Sequence, residues 1–544
     1  LSLALLYYFL IICLISIVEH EKLSRGRRSC YTDGMKLSQQ ARRKAVFFAE
    51  KYWWVVMIIT GAVVFALAML LARGQSVWFD EGYSILLAKH SVSELLALTA
   101  VDAHPPLYYL LLKMWGELFG FSEFALRSMS ALFAAGTVTL ALTLARKLFG
   151  TRVALIALPF VVIAPFILRY GYEIRMYSLV GFLGVAGTYA LITARQTEKL
   201  WWWAVYAVVV ALGMYTLYMS IVIWLAHAVW LVWMSIRSKQ SIFQWRWPLA
   251  FIGAIILFAP YLPTFIDQMA HSVLSGVGSE VTLTSLINVT TLFLLFTPEQ
   301  NVGGWLSLGI IMLFILLIPL LAHGWRQTKR TAYHPYIVLL LLLAGLPMLV
   351  FALLSLPPRE PLFLPRYMAH VAVWVYMSMG VLAAYVLIDA KKTKQALLVV
   401  IITLSVLASG VVVLAQRGNY VFDRLYKPPG QLIAADLNGS SGAGCNDQTT
   451  IAIDGPQEYI ELLYYFERCD TRFAASYDPE FRGGFAPLHS SKKRITSSAE
   501  LSSQYVIVMH WEDAVNMTMD DRYELIETRD YGKYRVNTYQ LRRE

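Results

Sequence analysis

Charge is scarce in this chain. Asp, Glu, Lys and Arg make up 15% of its 544 residues, while 58% are hydrophobic. So little polar surface cannot clothe a soluble protein of this length, which excludes an ordinary globular enzyme. Cysteine is scarce too. There are four, none in a Cys-x-x-Cys spacing, so the usual thiolate metal or redox motif is missing. Cys13 and Cys30 fall in the N-terminal stretch. Cys445 and Cys469 fall in a polar tail and can form one disulfide if that tail lies outside the cytoplasm. Internal repeats of the transporter kind are lacking. The net charge of +10 is distributed around the ends of apolar runs, and no nucleic-acid partner is expected.

What the chain has instead is a series of runs near the ~18 apolar residues of a spanning helix. The fold class is therefore an α-helical polytopic membrane protein. Residues 1–18 are apolar and 19–51 basic and polar. A start at Met35, in MKLSQQARRK, would make residues 1–34 an upstream extension, and no function is drawn from them. Spans are expected at Trp53–Leu71, Phe124–Leu144, Ala154–Leu168, Tyr177–Ile192, Trp201–Met234 (two helices with a turn near Tyr215–Ser220), Pro248–Tyr261, Trp305–Leu321, Pro335–Leu354, Tyr367–Leu387 and Leu397–Leu414. That makes about eleven core helices. Leu107–Phe119 is short and interrupted by Lys113 and Glu117, and fits an interfacial helix. Leu283–Phe296 is read as part of an outer loop, because counting it as a span would turn Arg326, Lys329 and Arg330 outward.

Arg42, Arg43, Lys44 and Lys51 before the first span put the N-terminus in the cytoplasm by the positive-inside rule, and the first loop, 73–123, outside. The domains expected are 1–52, 53–416 and 417–544. The last is a small extracytoplasmic α/β domain with β-like runs Thr450–Ile453 and Tyr505–Met509 and a short helix Glu458–Phe466. The protein is expected in the plasma membrane, in contact with its lipids.

Ionisable residues beside a membrane are costly and read as functional by default. Asp80 and Glu81 open the first loop. Being adjacent, they point about 100° apart on a helix and cannot act as one symmetric dyad. One can serve as a base toward a hydroxyl while the other pairs with an Arg. The competing reading has Asp80 merely capping a helix Glu81–Lys89. Asp102 and His104 precede Pro105-Pro106 and could bind acceptor hydroxyls or a divalent ion, though two ligands alone also suit a plain structural loop. Arg127, Arg169, Arg175, Arg359 and Arg366 stand on the outer side against the charge rule. Arg grips phosphate with paired hydrogen bonds, so an anionic lipid headgroup is their natural partner. Tyr170, Glu173 and Tyr177 surround Arg175, and Tyr367 follows Arg366.

Five short motifs stand in order: Phe79-Asp80-Glu81, Asp102-Ala-His-Pro-Pro-Leu-Tyr-Tyr109, Phe124-Ala-Leu-Arg127, Glu173-Ile-Arg-Met-Tyr177 and Pro365-Arg-Tyr-Met368. Together, over roughly residues 50–390, they resemble the GT-C superfamily of glycosyltransferases, in the bacterial branch related to protein O-mannosyltransferases and the lipid A aminoarabinose transferase. The resemblance implies a polyprenyl-phosphate sugar donor and an inverting transfer, at the outer face, to a lipid, glycan or protein hydroxyl. It makes Asp80 the base and Glu81 an orienting group. Arg127 and Arg366 become phosphate or carboxylate partners, with no obligatory cofactor although some relatives carry a metal. The chain departs from many relatives at Tyr215-Thr216-Leu217-Tyr218, where a His is missing. A flippase or transporter of lipid-linked glycans is the rival reading. It would place ionisable residues in mid-helix, whereas here they gather at helix ends.

Overall fold

The structure is a computed structural model. It describes residues 46–238, 246–271, 321–329, 331–356, 365–388, 393–417, 428–439, 445–511 and 517–542, with short pieces at 282, 291–295, 318–319, 419–421 and 424–426. Residues 1–34, Arg359 and most of the segments 283–296 and 305–321 lie outside the described residues.

Among the described residues, eight helices are long and apolar enough to cross a membrane, and one bent pair makes a ninth. In chain order the first elements are α1 (Trp53–Ala72), the loop helices α2 (Phe79–Lys89), α3 (Val92–Ala100) and α4 (Leu107–Phe119), and then α5 (Glu123–Phe149). At 1.5 Å per residue, the 27 residues of α5 reach ~40 Å, more than a ~30 Å hydrocarbon core needs. Its surplus first turn carries Glu123 and Arg127 up to the loop end of the bundle.

The expected single span Ala154–Leu168 is broken in two: α6 (Thr151–Val162) and α7 (Pro165–Gly171) meet at 62°. Pro165 is the cause. It has no N–H to continue the ladder, and its ring drives Ala164 out of the helical region to φ −72°, ψ 107°. Next come α8 (Tyr177–Thr197), α9 (Leu200–Thr216) and α10 (Ile221–Arg237), the last two joined by the turn Tyr218–Ser220 inside the expected window. α11 (Trp247–Phe258) runs on through Ala259–Tyr261 into α12 (Leu262–Ala270), nine residues beyond the expected end at Tyr261. α13 (His334–Leu354), the 3-10 segment Pro365–Val371, α14 (Ala372–Ile388) and α15 (Thr393–Arg417) complete the helical part.

The C-terminal domain has helices α16 (Gly430–Gly439) and α17 (Pro456–Phe466). A small hairpin pairs β1 (Asn419–Val421) with β2 (Arg424–Tyr426). The main sheet contains β3 (Thr449–Asp454), β4 (Asp470–Ala474), β5 (Arg494–Ile495), β6 (Tyr505–Trp511), β7 (Tyr523–Tyr531) and β8 (Tyr534–Leu541), in the order β5-β4-β3-β6-β8-β7. β3 is parallel to β4, to which α17 supplies the crossover that parallel pairing demands, and also to β6; β8 and β7 add an antiparallel edge. Cys445 and Cys469 are disulfide-bonded, with Cα atoms 5.2 Å apart.

α17 lies directly across α2. A Cβ on Gly82 would collide with the backbone carbonyl of Ile460, so only glycine permits this approach. Gly82→Ala is therefore expected to push the two helices apart and cost about 1–3 kcal/mol, as overpacking does. A melting curve in detergent checks it, and an unchanged midpoint would count against the contact.

Candidate active site

The three spans most enclosed by protein are Tyr177–Thr197, Arg366–Ile388 and Glu123–Phe149. Arg175 just precedes the first, Arg366 opens the second, and Arg127 sits in the opening turns of the third. A cation at a helix N-terminus works against the helix dipole, so each needs an anion nearby. α2 supplies two. Its N-cap is Trp78, not Asp80; Asp80 and Glu81 occupy the first turn, where the dipole favours them. The capping role for Asp80 is thus ruled out.

The two carboxylates part as adjacent helical residues must. Glu81, 1% exposed, turns inward to Arg127, 2% exposed. Arg127 donates to Glu81 through Nε (3.3 Å) and Nη2 (2.8 Å). Its remaining donors reach the carbonyls of Ala72 (3.3 Å), Gln75 (2.6 Å) and Ser76 (3.2 Å) and the Glu123 carboxylate (3.0 Å). The Ile174 N–H also donates to Glu81, at 3.0 Å. Every hydrogen of that guanidinium is engaged, so Arg127 serves as a carboxylate partner and none is left over for phosphate. Glu81 is likewise enclosed.

Asp80 turns the other way. Its Oδ2 lies 3.3 Å from Arg366 Nη1 and 3.8 Å from Arg175 Nε. Oδ1 takes no hydrogen bond from the described residues. The side chains of Asp80 and Arg366 keep 14% and 21% of their exposure, so this pair faces accessible space. Arg175 is fixed from behind by Tyr109 (3.1 Å) and Ser84 (3.4 Å), and Ser84 donates to the Asp80 carbonyl at 2.9 Å. Arg366 stands over the Tyr367 ring, 5.8 Å from its centroid.

The other expected residues lie around this core. Tyr170 and Tyr177 are buried and meet edge to face at 5.1 Å. Glu173 is held by Arg169 at 3.2 Å, each 1% exposed. Burial pushes the Glu173 carboxyl above its ordinary pKa, and Arg169 offsets part of that rise. Asp102 accepts from His104 Nδ1 at 3.3 Å. Burial alone would raise the Asp102 pKa, but the His104 hydrogen bond and charge outweigh it and hold the carboxyl below its usual range. These two side chains are bonded to each other, and among the described residues no three His, Cys, Asp or Glu groups gather as a metal site. No step below is routed through a divalent ion.

Sequence reasoning missed Glu123, Ser84 and Tyr109. Glu123 was legible, four residues before Arg127 on the same helix face. It also missed Tyr465 and Gln431, which reach Glu123 from the C-terminal domain and carry no local signal.

Residues 103–263 match the family described as dolichyl-phosphate-mannose-protein mannosyltransferase. No curated protein sequence matches the chain. Among solved structures, the fold is similar to ArnT from Cupriavidus metallidurans bound to undecaprenyl phosphate, with a TM-score of 0.56, 13% identity, and 89% of this chain and 98% of that one covered. The same protein in the apo state gives a TM-score of 0.58 at 12% identity, over 90% and 98% of the two chains. A weaker likeness, TM-score 0.49 at 12% identity over 83% and 67% of the chains, is to the Archaeoglobus fulgidus oligosaccharyltransferase in complex with Zn and sulfate; at that score it carries no argument. The chain is thus a protein of several apolar helices that shares its fold with ArnT and, over residues 103–263, resembles the dolichyl-phosphate-mannose-protein mannosyltransferase family.

Proposed function

We propose that the enzyme transfers a sugar from a polyprenyl-phosphate donor to a lipid, glycan or protein hydroxyl at the outer membrane face, with inversion and with Asp80 as the base. The observation that carries this reading is the asymmetry of Asp80: two guanidinium groups hold Oδ2, while Oδ1 takes no hydrogen bond from the described residues. In the step proposed, Oδ1 accepts the proton of the acceptor hydroxyl as its oxygen bonds to the anomeric carbon. The bond from that carbon to the phosphate oxygen breaks on the opposite side, and the electron pair leaves with the polyprenyl phosphate.

Arg366, partly exposed, can exchange Asp80 for that phosphate, and Arg175 stays anchored beneath. Preorganised cations are worth most where charge develops on the leaving group. Only one carboxylate of the adjacent pair is free to touch substrate, which suits a single displacement. Tyr170, Tyr177 and Tyr367 give the lipid phosphate an apolar, aromatic floor, and the Asp102–His104 pair stands ready for acceptor hydroxyls. The related ArnT structure with undecaprenyl phosphate supports a donor of this chemical class. The Cys445–Cys469 disulfide suits an extracytoplasmic C-terminal domain.

Arg366→Ala tests the phosphate role. A charge-assisted hydrogen bond is worth about 1.5–3 kcal/mol, so undecaprenyl phosphate should bind about 10–100-fold more weakly to the variant. Binding at wild-type strength would remove Arg366 from the donor site. Proteoliposomes given a panel of undecaprenyl-phosphate hexoses and pentoses should form glycosylated product. Lipid flux with no product from any of them would favour a flippase.

A further inference from the structure

We infer that the C-terminal domain is a positioning part of the transfer site, acting through the Tyr465 hydroxyl and the Gln431 amide on Glu123; this rests on the reading of Asp80 as the base. The argument begins with a charge imbalance. Glu81 and Glu123 share the single guanidinium of Arg127. Two carboxylates against one cation leave excess negative charge in a largely buried place, which is costly unless further donors meet it.

Those donors come from the C-terminal domain. Tyr465 OH donates to Glu123 Oε1 at 2.6 Å, and Gln431 Nε2 donates to Glu123 Oε2 at 2.7 Å. The same two residues also grip the strap that leads into α2. Tyr465 OH accepts from the Val77 N–H at 2.7 Å, and the Gln431 N–H donates to Ser76 Oγ at 3.0 Å. From its other side the strap is held by Arg127, through the carbonyls of Ala72, Gln75 and Ser76. Val77 lies three residues before Asp80. The place of Asp80 is therefore set by a closed circuit of Tyr465, Gln431, Glu123, Arg127 and Glu81, of which Tyr465 and Gln431 belong to the C-terminal domain.

Simple attachment of the domain does not need this circuit. Lys89 pairs with Glu467, Arg482 with Asp267 at 2.9 Å, and the Gly483 N–H donates to the Val101 carbonyl at 2.9 Å. Loss of one hydroxyl should leave the domain seated and loosen only the link to α2. Small misplacement of a reacting group is enough to lower turnover strongly.

The test uses the full chain in proteoliposomes with whichever undecaprenyl-phosphate sugar of the panel turns over fastest. Tyr465→Phe keeps the ring, which packs edge to face on Tyr464, and deletes only the hydroxyl. Its kcat is expected to fall about 10-fold, with the donor KM within about twofold of wild type and protease resistance of the domain retained. Glu123→Gln should fall similarly, and the double variant should be no slower than the slower single, because both act through one link. Gln431→Ala, expected to lose about threefold in kcat, carries the test should Tyr465→Phe undock the domain. A wild-type kcat in Tyr465→Phe and Gln431→Ala, or losses that multiply in the double variant, would overturn the inference while an inactive Asp80→Asn left the base reading standing. Full turnover in Asp80→Asn would instead overturn the base reading, and this positioning role with it.

Discussion

Asp80→Asn should abolish transfer, with turnover lower by about 10²–10⁴-fold, the usual worth of a positioned general base. The substitution keeps the shape of the side chain and one oxygen for Arg366, but removes the proton acceptor. It also removes the negative charge that Arg366 and Arg175 now face at 3.3 and 3.8 Å. With that competitor gone, undecaprenyl phosphate should bind at least as tightly as to wild type. Turnover and binding are thus expected to move apart, a pattern that a misfolded variant cannot give. The rate is read with labelled donor and the affinity by titration of the product lipid. A variant that still transfers sugar normally would end the role of Asp80 as base.

Arg127→Leu should be the most destabilising single change at the site. It leaves Glu81 as a buried carboxylate with no cation and strips a donor from the carbonyls of Ala72, Gln75 and Ser76. Breaking one side of a buried ion pair costs about 3–5 kcal/mol. Arg127→Lys should help little, because one ammonium cannot serve Glu81 on both oxygens and the backbone strap together. Adding Glu81→Gln to Arg127→Leu should recover part of the loss by removing the stranded charge. Thermal unfolding in detergent measures all three, and a wild-type midpoint for Arg127→Leu would refute this account of the pair.

Much of this architecture is legible in the chain itself. Apolar length alone finds α1, α5, α8 and α13, since a bilayer sets one helix length for all of them. The break at Pro165 was legible too, but apolar content outweighed it in the reading of Ala154–Leu168 as one span. The span was ended at Tyr261 because the stretch from Leu262 reads as mixed, yet the helical path runs on through Pro260 and Pro263. Both are in fact accommodated where the 3-10 turn Ala259–Tyr261 hands over to α12. At the site, the adjacency of Asp80 and Glu81 already required them to face apart. Which of them would meet which Arg was not legible, because it depends on how α5, α8 and α14 bring their N-terminal ends together. Tyr465 and Gln431 could not be found at all by this route. Nothing in the local pattern of a polar tail tells that one tyrosine will reach a carboxylate at the head of a distant span.

The Val77–Tyr465 bond joins positions 388 residues apart. At roughly 5–20 residues per second, a ribosome needs on the order of 20–80 s between making the first and the second. Throughout that interval the loop helix bearing Asp80 has been made but lacks the domain that packs against it. If the circuit works as inferred, a nascent or truncated chain is held inert. Activity then switches on only when the C-terminal domain has folded onto the loop helices, so that domain acts as a licence for the helix that bears Asp80.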